Sequence, residues 1–341
     1  MSKIVVTGAT GFIGSHIIVQ LLNTGHEVVG TMRDLKRADS MREVYKQHVR
    51  DLSNLSFVSL DLLADEGWAK AFEGAEYVIH TASPVPSQIP RREKDIIQPA
   101  VEGTKRALKF AAEAKVKRLV LTSSIVAIMY GHEEGKIDFT EEDWSNMDHP
   151  KDKSAYTKSK TLAEKAAWDF IEADKSGLEL SVINPGMVLG PIMESDYGTS
   201  AIVVKKLLEG KFPGTPKIGW PIVDVRDVAA LHIVAMTHPK AAGQRFMAAN
   251  SFMWMNDIAK VLKHKVPHLA SKVPVKNLPI WLLKILANFD KEIKSVSFEL
   301  DKKRENVSKK AFKSLGWTPR SNEEAIVATA ETLSKFGGLN L

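Results

Sequence analysis

The stretch that decides the fold is residues 3–14, KIVVTGATGFIG. Its first half, Lys3–Thr7, is apolar and rich in β-branched residues, which is typical of a short buried strand. Its second half spaces Gly8, Gly11 and Gly14 as G-x-x-G-x-x-G. Apolar residues then recur at helical spacing up to Gly25, which is placed to end a helix. The order of strand, glycine turn and helix predicts that the turn binds a dinucleotide.

Glycines in such a turn allow a tight bend, close approach of the backbone to a pyrophosphate, and close packing of helix on strand. The phosphates then face the N–H groups and the positive end of the helix dipole. The alternative is an ordinary strand-to-helix turn that is rich in small residues. The residues predicted to contact the cofactor here are Gly8, Thr10, Gly11, Phe12, Ile13 and Gly14.

The end of the next strand distinguishes the two nicotinamide cofactors. An acidic residue there would hold the ribose 2′-OH of NAD, but this strand ends at Met32 and is followed by Arg33. The planar guanidinium of Arg33 suits a 2′-phosphate. Arg37, one helical turn on, could add charge, whereas Lys36 is more typical of a solvated surface. The predicted cofactor is therefore NADP (NADPH).

Tyr156 and Lys160 are four residues apart, so they share one face of a predicted helix. A phenol has a pKa of about 10 and is a poor acid or base at neutral pH. A nearby ammonium favours the phenolate, so we expect Lys160 to lower the pKa of Tyr156. The pair predicts acid–base chemistry, although such pairs also occur on solvated helix faces.

Strands and helices alternate through the first half of the chain. Further strands are predicted at residues 55–60, 76–81, 118–122 and 180–184, and helices at residues 66–72, 95–114 and 154–176. The alternation predicts an α/β fold with a doubly wound parallel (Rossmann) sheet. Residues 1–184 would form the NADP-binding domain, to which the chain returns near 224–250. Residues 185–341 would form a smaller, mainly substrate-binding region, with helices at 200–208, 225–236 and 255–263.

Five motifs in order carry a resemblance to a known family. They are TGATGFIGSH (7–16), HTASPV (80–85), LTSS (121–124), YTKSKTLAEKAAW (156–168) and NPGMVLGP (184–191). With these motifs the chain resembles the extended short-chain dehydrogenases/reductases over residues 3–316. Within that family it is most similar to the branch of dihydroflavonol reductases, cinnamoyl-CoA reductases and microbial aldehyde reductases.

The resemblance implies roles for individual residues. Tyr156 matches the proton donor, Lys160 the residue that binds the nicotinamide ribose, and Ser124 the serine that hydrogen-bonds the substrate carbonyl, with Ser123 as the competing assignment. The remaining positions match contacts to adenine, to the nicotinamide and to the phosphates: Asp61, Leu62, Thr81, Ala82, Ser83, Thr122, Pro185, Val188 and Ser200. The implied reaction is NADPH-dependent reduction of an aldehyde or ketone.

The substrate pocket is predicted to be apolar, which suits a hydrophobic carbonyl compound. Its walls would come from residues 83–88, 125–130, 187–197 and 212–222, with Met129, Met187, Met193, Phe212 and Trp220 prominent. The asparagine of flavonoid reductases and the KNWYCYGK segment of cinnamoyl-CoA reductases are both missing, so a broader carbonyl reductase is predicted. Alternatives are a nucleotide-sugar epimerase or dehydratase, a hydroxysteroid dehydrogenase, and a dinucleotide-sensing regulator without enzymatic activity.

Composition bounds the partners and the compartment. The 341 residues carry a net charge of +6 without a basic stripe interleaved with aromatics, so no nucleic-acid partner is predicted. No apolar run reaches the ~18 residues of a membrane span, and a strand begins too early for a signal peptide. Cysteine is absent, which excludes disulfides and thiolate sites. We expect a cytoplasmic monomer or homodimer.

Three further features have structural interpretations. His264 and His268 lie four residues apart, but no third ligand is evident, so no metal site is predicted. Asp227 is expected to cap a helix or form a salt bridge. The apolar segment 279–289 is expected to be core or a partner interface rather than a membrane contact.

Overall fold

A seven-stranded sheet forms the centre of the protein. The computed structural model describes residues 1–84, 92–195, 197–286, 288 and 297–340. The strands of the sheet are β1 (Lys3–Thr7), β2 (Glu27–Met32), β3 (Leu55–Ser59), β4 (Tyr77–His80), β5 (Arg118–Thr122), β7 (Glu179–Pro185) and β10 (Gln244–Ala248). Their order is β3-β2-β1-β4-β5-β7-β10, and every pairing is parallel. This is the predicted doubly wound sheet.

Helices cover both faces of this sheet. They are α1 (Phe12–Asn23), α2 (Ala38–Lys46), α3 (Trp68–Phe72), α4 (Lys94–Glu113), α5 (Ala155–Ala173) and α7 (Val225–Thr237). On one face α1, α2 and α7 bury an apolar cluster that includes Ile17, Tyr45 and Leu231. On the other face α3, α4 and α5 bury a second cluster around Trp68 and Leu108. Burial on both faces explains why central strands such as β1 and β4 are buried along nearly their whole length, whereas the edge strand β3 is partly exposed.

The chain after β7 builds a smaller region beside the sheet. Its elements are β8 (Met187–Leu189), α6 (Thr199–Leu208), β9 (Gly219–Asp224), β11 (Phe252–Trp254), α8 (Met255–Lys265), α9 (Ile280–Leu286) and α11 (Asn322–Phe336). The intervening helix α10 (Lys310–Leu315) instead packs Ala311 and Leu315 into the cluster under α1 and α7. Strands β8, β9 and β11 form a three-stranded sheet. Helices α6, α8 and α11 pack a separate apolar cluster that includes Val204, Ile258 and Ile326. The division into domains at residue 184 stays a prediction.

One short parallel pair links distant parts of the chain. Strand β6 (Asp138–Phe139) pairs with β12 (Glu305–Asn306). The pairing draws the segment after residue 297 onto the loop that follows β5. Tyr130 packs there against Phe298 in an edge-to-face contact.

The strand order places a crevice at the middle of the sheet. From β1 the chain runs outward through β2 and β3, then crosses to β4 on the other side of β1. The loops after β1 and β4 therefore leave in opposite directions. Open parallel sheets bind ligands at the carboxyl ends of strands at such a switch point. The predicted glycine turn follows β1 directly, so it opens onto this crevice.

Other predictions of local structure meet different outcomes. Asp227 forms a salt bridge with Arg320, as expected, whereas Asp224 caps α7 by accepting from the backbone N–H of Arg226 at 2.8 Å. In the described part of the chain no group of three possible ligands for a metal ion is found. No helix among the described residues is both long and apolar enough to cross a membrane. The predicted interface segment 279–289 lies partly outside the described residues.

Candidate active site

A cavity of about 790 Å³ lies at the switch point of the sheet. The glycine turn, the carboxyl ends of β1, β2, β4 and β5, the first turns of α5 and the start of α6 all contribute to its wall. Its volume falls in the range of about 300–1,000 Å³ that is usual for small-molecule and cofactor sites. The elements that the sequence marked as functional therefore share one site.

The glycine turn leaves backbone exposed where side chains would fill the space. A Cβ atom on Gly14 would lie 2.3 Å from the carbonyl oxygen of Gly8. Gly8 itself has a φ of +76°, which only glycine adopts readily, and its carbonyl accepts from the N–H of Gly11 at 2.9 Å. The turn therefore ends in the first N–H groups of α1, which favour phosphate oxygens. These features fit a dinucleotide.

A hydrogen-bond network fixes the loops after β1 and β4. The Thr81 hydroxyl donates to the carbonyl of Thr7 at 2.6 Å, and the N–H of Ala82 donates to the Thr7 hydroxyl at 3.2 Å. The Thr7 hydroxyl and His80 Nδ1 lie 2.8 Å apart. Burial and the neighbouring Lys160 charge lower the pKa of His80 to about 3. A neutral imidazole can accept the hydroxyl proton, so the network holds the turn without adding charge.

Arg33 and Arg37 have different environments. Arg33 is exposed and lines the cavity. Arg37 does not line it; its guanidinium donates to both carboxylate oxygens of Glu194, at 2.8 and 3.0 Å. The prediction that Arg37 adds charge to the cofactor site stays a prediction, and the ion pair with Glu194 offsets part of that charge. Lys36 is exposed, as expected.

Ser124, Tyr156 and Lys160 come together at the cavity wall. Helix α5 begins with Ser154, whose hydroxyl accepts from the N–H of Thr157 at 3.0 Å and caps the helix. This cap places Tyr156 in the first turn, at the carboxyl end of β5. Ser124 follows β5, and its hydroxyl lies close enough to Tyr156 to lower the pKa of that phenol. Two hydroxyls thus face the position where a carbonyl oxygen would be held.

The pKa of Tyr156 is raised above its ordinary value. Burial disfavours the phenolate and outweighs the effect of the Ser124 hydroxyl, which lowers the pKa. The direction is opposite to the one predicted from the Tyr156–Lys160 spacing, because desolvation is the larger effect. At neutral pH the phenol therefore carries its proton, the form that a proton donor needs.

Lys160 is buried, and burial lowers its pKa to about 8 against the opposing effect of Glu164. At pH 7 about nine-tenths of such a lysine is still protonated. The side chain can therefore act as a cation beside Tyr156.

Ser123 and Ser124 are distinguished by their partners. The Ser123 hydroxyl donates to the buried carboxylate of Glu164. The Ser124 hydroxyl accepts from the N–H of Val126 at 3.3 Å and remains beside Tyr156. Ser124 is therefore better placed to contact a substrate.

The remaining predicted cofactor residues reach the same cavity. They are Thr10, Phe12, Ile13, Asp61, Leu62, Ser83, Thr122, Pro185, Val188 and Ser200. Thr122 also contacts His232, with 2.8 Å between its hydroxyl and Nε2. Arg37 is the one predicted contact residue that the structure does not place at the cavity.

Two parts of the wall were not predicted from the sequence. Ile96 and Pro99 of α4 line the cavity, as do Gly198 and Thr199 at the start of α6, next to Tyr197 of the predicted 187–197 wall. Gly198 packs closely on Phe12, since an added Cβ would lie 3.3 Å from that ring. The Gly-Thr-Ser run before an apolar helical pattern was a signal for the second group. Ile96 and Pro99 had no comparable signal.

The predicted pocket walls reach the described cavity only in part, through Ser83, Pro84, Val188 and Tyr197. Met129 and Met193 are buried at 1% and 7% exposure, and Met187 belongs to the cluster under α6. Phe212 and Trp220 pack against that same cluster. None of the five lines the described cavity. Of residues 83–88, Ser83 and Pro84 do line it, and 85–88 lie outside the described residues.

Comparisons with known proteins agree with the fold and the motifs. Residues 4–249 match the model of the NAD dependent epimerase/dehydratase family. An NADPH-dependent methylglyoxal reductase of Saccharomyces cerevisiae is 31% identical, covering 98% of this chain and 99% of that protein. Cinnamoyl-CoA reductase 1 of Petunia hybrida is 36% identical over 77% of each chain.

A solved structure extends the likeness to the whole chain. The crystal structure of a yeast methylglyoxal/isovaleraldehyde reductase complexed with NADPH superposes with a TM-score of 0.81 at 29% identity, covering 98% and 99% of the two chains. Fold and site thus define an α/β protein with a nucleotide cavity at a Rossmann switch point. The chain belongs to the NAD dependent epimerase/dehydratase family, the extended short-chain dehydrogenases/reductases. The predicted family and its reductase branch are confirmed.

Proposed function

We propose that the chain is an NADPH-dependent reductase of aldehydes and ketones. The observation that carries the proposal is the meeting of Ser124, Tyr156 and Lys160 at the end of a cavity whose other end is bordered by Arg33. Two relatives are named as an NADPH-dependent methylglyoxal reductase and a cinnamoyl-CoA reductase. Small hydrophobic carbonyl compounds, including 2-oxoaldehydes, are the proposed substrate class.

Different residues along the cavity would bind different parts of the cofactor. The glycine turn would face the pyrophosphate, and Arg33 the 2′-phosphate of the adenosine ribose. Asp61 and Leu62 lie at the Arg33 end and would contact adenine. Lys160 would hold the nicotinamide ribose. NADPH, when bound, supplies the hydride.

Protonation of the substrate oxygen falls to Tyr156. Ser124 and Tyr156 would both donate hydrogen bonds to the carbonyl oxygen, which stabilises the negative charge that develops as the carbon is reduced. The raised pKa keeps the phenol protonated until that charge appears. Transfer of its proton completes the alcohol, and the ammonium of Lys160 stabilises the phenolate that remains.

The rival enzymatic function is nucleotide-sugar epimerisation or dehydration, which regenerates its cofactor in each turnover. Arg33 argues against it, because an acidic residue at this position is the feature that selects NAD. Two weaker candidates are a hydroxysteroid dehydrogenase and a dinucleotide-sensing regulator without enzymatic activity. The predicted cytoplasmic location and the monomeric or dimeric state stay predictions.

The test is a screen for NADPH consumption with aldehydes, ketones, diketones and sterols, repeated with NADH. Sustained oxidation of NADPH by a sugar-free aldehyde or ketone is expected, and Tyr156→Phe should lower its kcat by about 10²–10⁴-fold. An unchanged rate in Tyr156→Phe would contradict the proposed mechanism. Turnover of nucleotide sugars without net NADPH consumption would favour the epimerase function.

A further inference from the structure

Glu164 lies on α5 one turn after Lys160 and two turns after Tyr156, and its side chain is fully buried. Four donors converge on its carboxylate. They are Ser123 Oγ, Asn184 Nδ2 at 2.8 Å, Arg245 Nε at 2.5 Å and Trp168 Nε1 at 3.5 Å. An ionised carboxylate only accepts, so this set of donors suits an anion.

Arg245 neutralises that anion without leaving the core. Its guanidinium also donates to the carbonyls of Glu141 and Asp143, at 2.8 and 3.0 Å, and lies 3.7 Å from the ring centroid of Trp144. A buried charge pair is tolerated only when further hydrogen bonds complete it. The Glu164 carboxylate is therefore held in one place behind the catalytic face of α5.

Helix spacing and a hydrogen-bond relay connect this carboxylate to the proposed chemistry. Residues four apart on a helix are about 5–6 Å apart at Cβ, which brings Glu164 under Lys160. Asn184, which donates to Glu164, also donates to the carbonyl of Ser124 at 3.2 Å. The Glu164 carboxylate thus lies one helical turn from Lys160 and is linked through Asn184 to the backbone of Ser124.

We propose that Glu164 is a positioning residue that keeps Lys160 in its ammonium form and, through Asn184, fixes the backbone at Ser124. The inference rests on the proposed function, because it assigns Lys160 its role there. Glu164 touches neither substrate nor cofactor.

The charges around Lys160 determine the sign of the effect. Tyr156 and Glu164 face it from α5, His80 from β4, and Arg245 reaches Glu164 from β10. Burial lowers the pKa of Lys160 to about 8 while Glu164 raises it. Functions that need the ammonium are therefore present below that pKa and lost as the pH rises through it. Removing the negative charge moves the loss to lower pH.

The test compares wild type with Glu164→Gln, which keeps the size and an acceptor oxygen. The alkaline limb of kcat/KM against pH should move about two units towards acid, the size of a charge effect at a spacing of about 5–6 Å and an effective dielectric constant near 20. The Kd of NADPH, measured by its fluorescence without a carbonyl substrate, should rise with pH, and in Glu164→Gln this rise should begin at a correspondingly lower pH. Trp168→Phe removes one donor but no charge and should leave both limbs in place.

An alkaline limb at the wild-type pH in Glu164→Gln would overturn the proposal, even if the rate fell uniformly. If Glu164→Gln does not fold because Arg245 is left unpaired, the double variant Glu164→Gln/Arg245→Gln removes the pair. It must shift the limb in the same direction but by less, because the loss of the more distant Arg245 cation partly offsets the loss of the anion. Failure of the proposed function would appear differently. Wild type would then reduce no carbonyl compound, while the NADPH binding limb would still report on Glu164.

Discussion

Arg37 Nη2 donates to both carboxylate oxygens of Glu194, at 2.8 and 3.0 Å, and this ion pair joins the segment after β2 to the loop after β8. Glu194 thus binds the guanidinium of Arg37, which the sequence analysis placed near the 2′-phosphate. Arg33, four residues earlier, is exposed at the cavity wall. The two arginines are therefore expected to differ in their effect on cofactor preference.

Arg33→Asp should raise the KM for NADPH by about 10–100-fold, because a charge-assisted hydrogen bond contributes about 1.5–3 kcal/mol. The KM for NADH should fall, since an acidic side chain can accept from the ribose 2′-OH. Steady-state kinetics with both cofactors measures the change. Arg37→Met is the matched control, expected to change the KM for NADPH by less than about threefold, since its guanidinium binds Glu194 and lies off the cavity wall. An equal loss in both variants would mean that Arg37 leaves Glu194 to bind phosphate.

Ser124→Ala should lower kcat by about 10²–10³-fold, the usual effect of deleting one donor to a developing oxyanion. Ser123→Ala removes a donor to Glu164 instead, so it should lower the free energy of unfolding by about 1–3 kcal/mol with a smaller effect on kcat. Single-turnover reduction and urea unfolding of both variants separate the two effects. A larger kcat loss in Ser123→Ala would reverse the assignment of the serines.

The parts of this site that were readable from sequence are those set by local chemistry. The glycine turn is confined to residues 8–14, and the spacing of Tyr156 and Lys160 alone puts them on one helix face. Arg37–Glu194 could not be read in this way, because its partners are 157 residues apart.

The sequence also could not show whether a side chain faces the cavity or the core, or how far it is desolvated. Met129 is apolar whether it lines a pocket or fills a core, and only the packing of residues 125–130 against Phe139 and Met247 settles it. The same holds for Tyr156. Its spacing from Lys160 predicts a lowered pKa, while the desolvation that raises the pKa depends on the tertiary structure.

Three buried histidines, His16, His80 and His232, should make the protein sensitive to acid. Burial lowers the pKa of His16 and of His232 to about 4, against about 6.5 in the unfolded chain. The unfolded state binds more protons between these pKa values. The contribution of these histidines to the free energy of unfolding is therefore complete above about pH 6.5 and is lost as the pH falls towards about 4. Each histidine contributes a slope of about 1.4 kcal/mol per pH unit.

Urea unfolding at about pH 6.5 and about pH 5.5 measures that slope. His232→Asn, which removes one titrating group, should show a shallower pH dependence than wild type over this interval. The exposed His264 supplies the control, and His264→Gln should leave the slope unchanged. Equal slopes for wild type and His232→Asn would mean that His232 does not titrate on unfolding.

Arg304 should contribute strongly to stability by holding the segment after residue 297 against the loop that follows β5. Its guanidinium binds the buried carboxylates of Glu299 and Asp152, donates to the carbonyl of Met129 at 3.0 Å and lies 4.2 Å from the ring centroid of Tyr130. Arg304→Met would leave two buried carboxylates without this cation. Breaking a buried pair from one side costs about 3–5 kcal/mol, so urea unfolding should show a loss of that size.

The half-exposed pair of Lys217 and Asp301 is the matched control for Arg304. Solvent screens such a pair, so Lys217→Met should change the free energy of unfolding by less than about 1 kcal/mol. Asp152 lies two residues before the Ser154 cap of α5, and its carboxylate also accepts from the N–H of Gly131 at 2.8 Å. Loss of Arg304 should therefore also lower kcat by loosening the start of the helix that carries Tyr156. A stability loss no larger than that of Lys217→Met would show that the cluster does not anchor this segment.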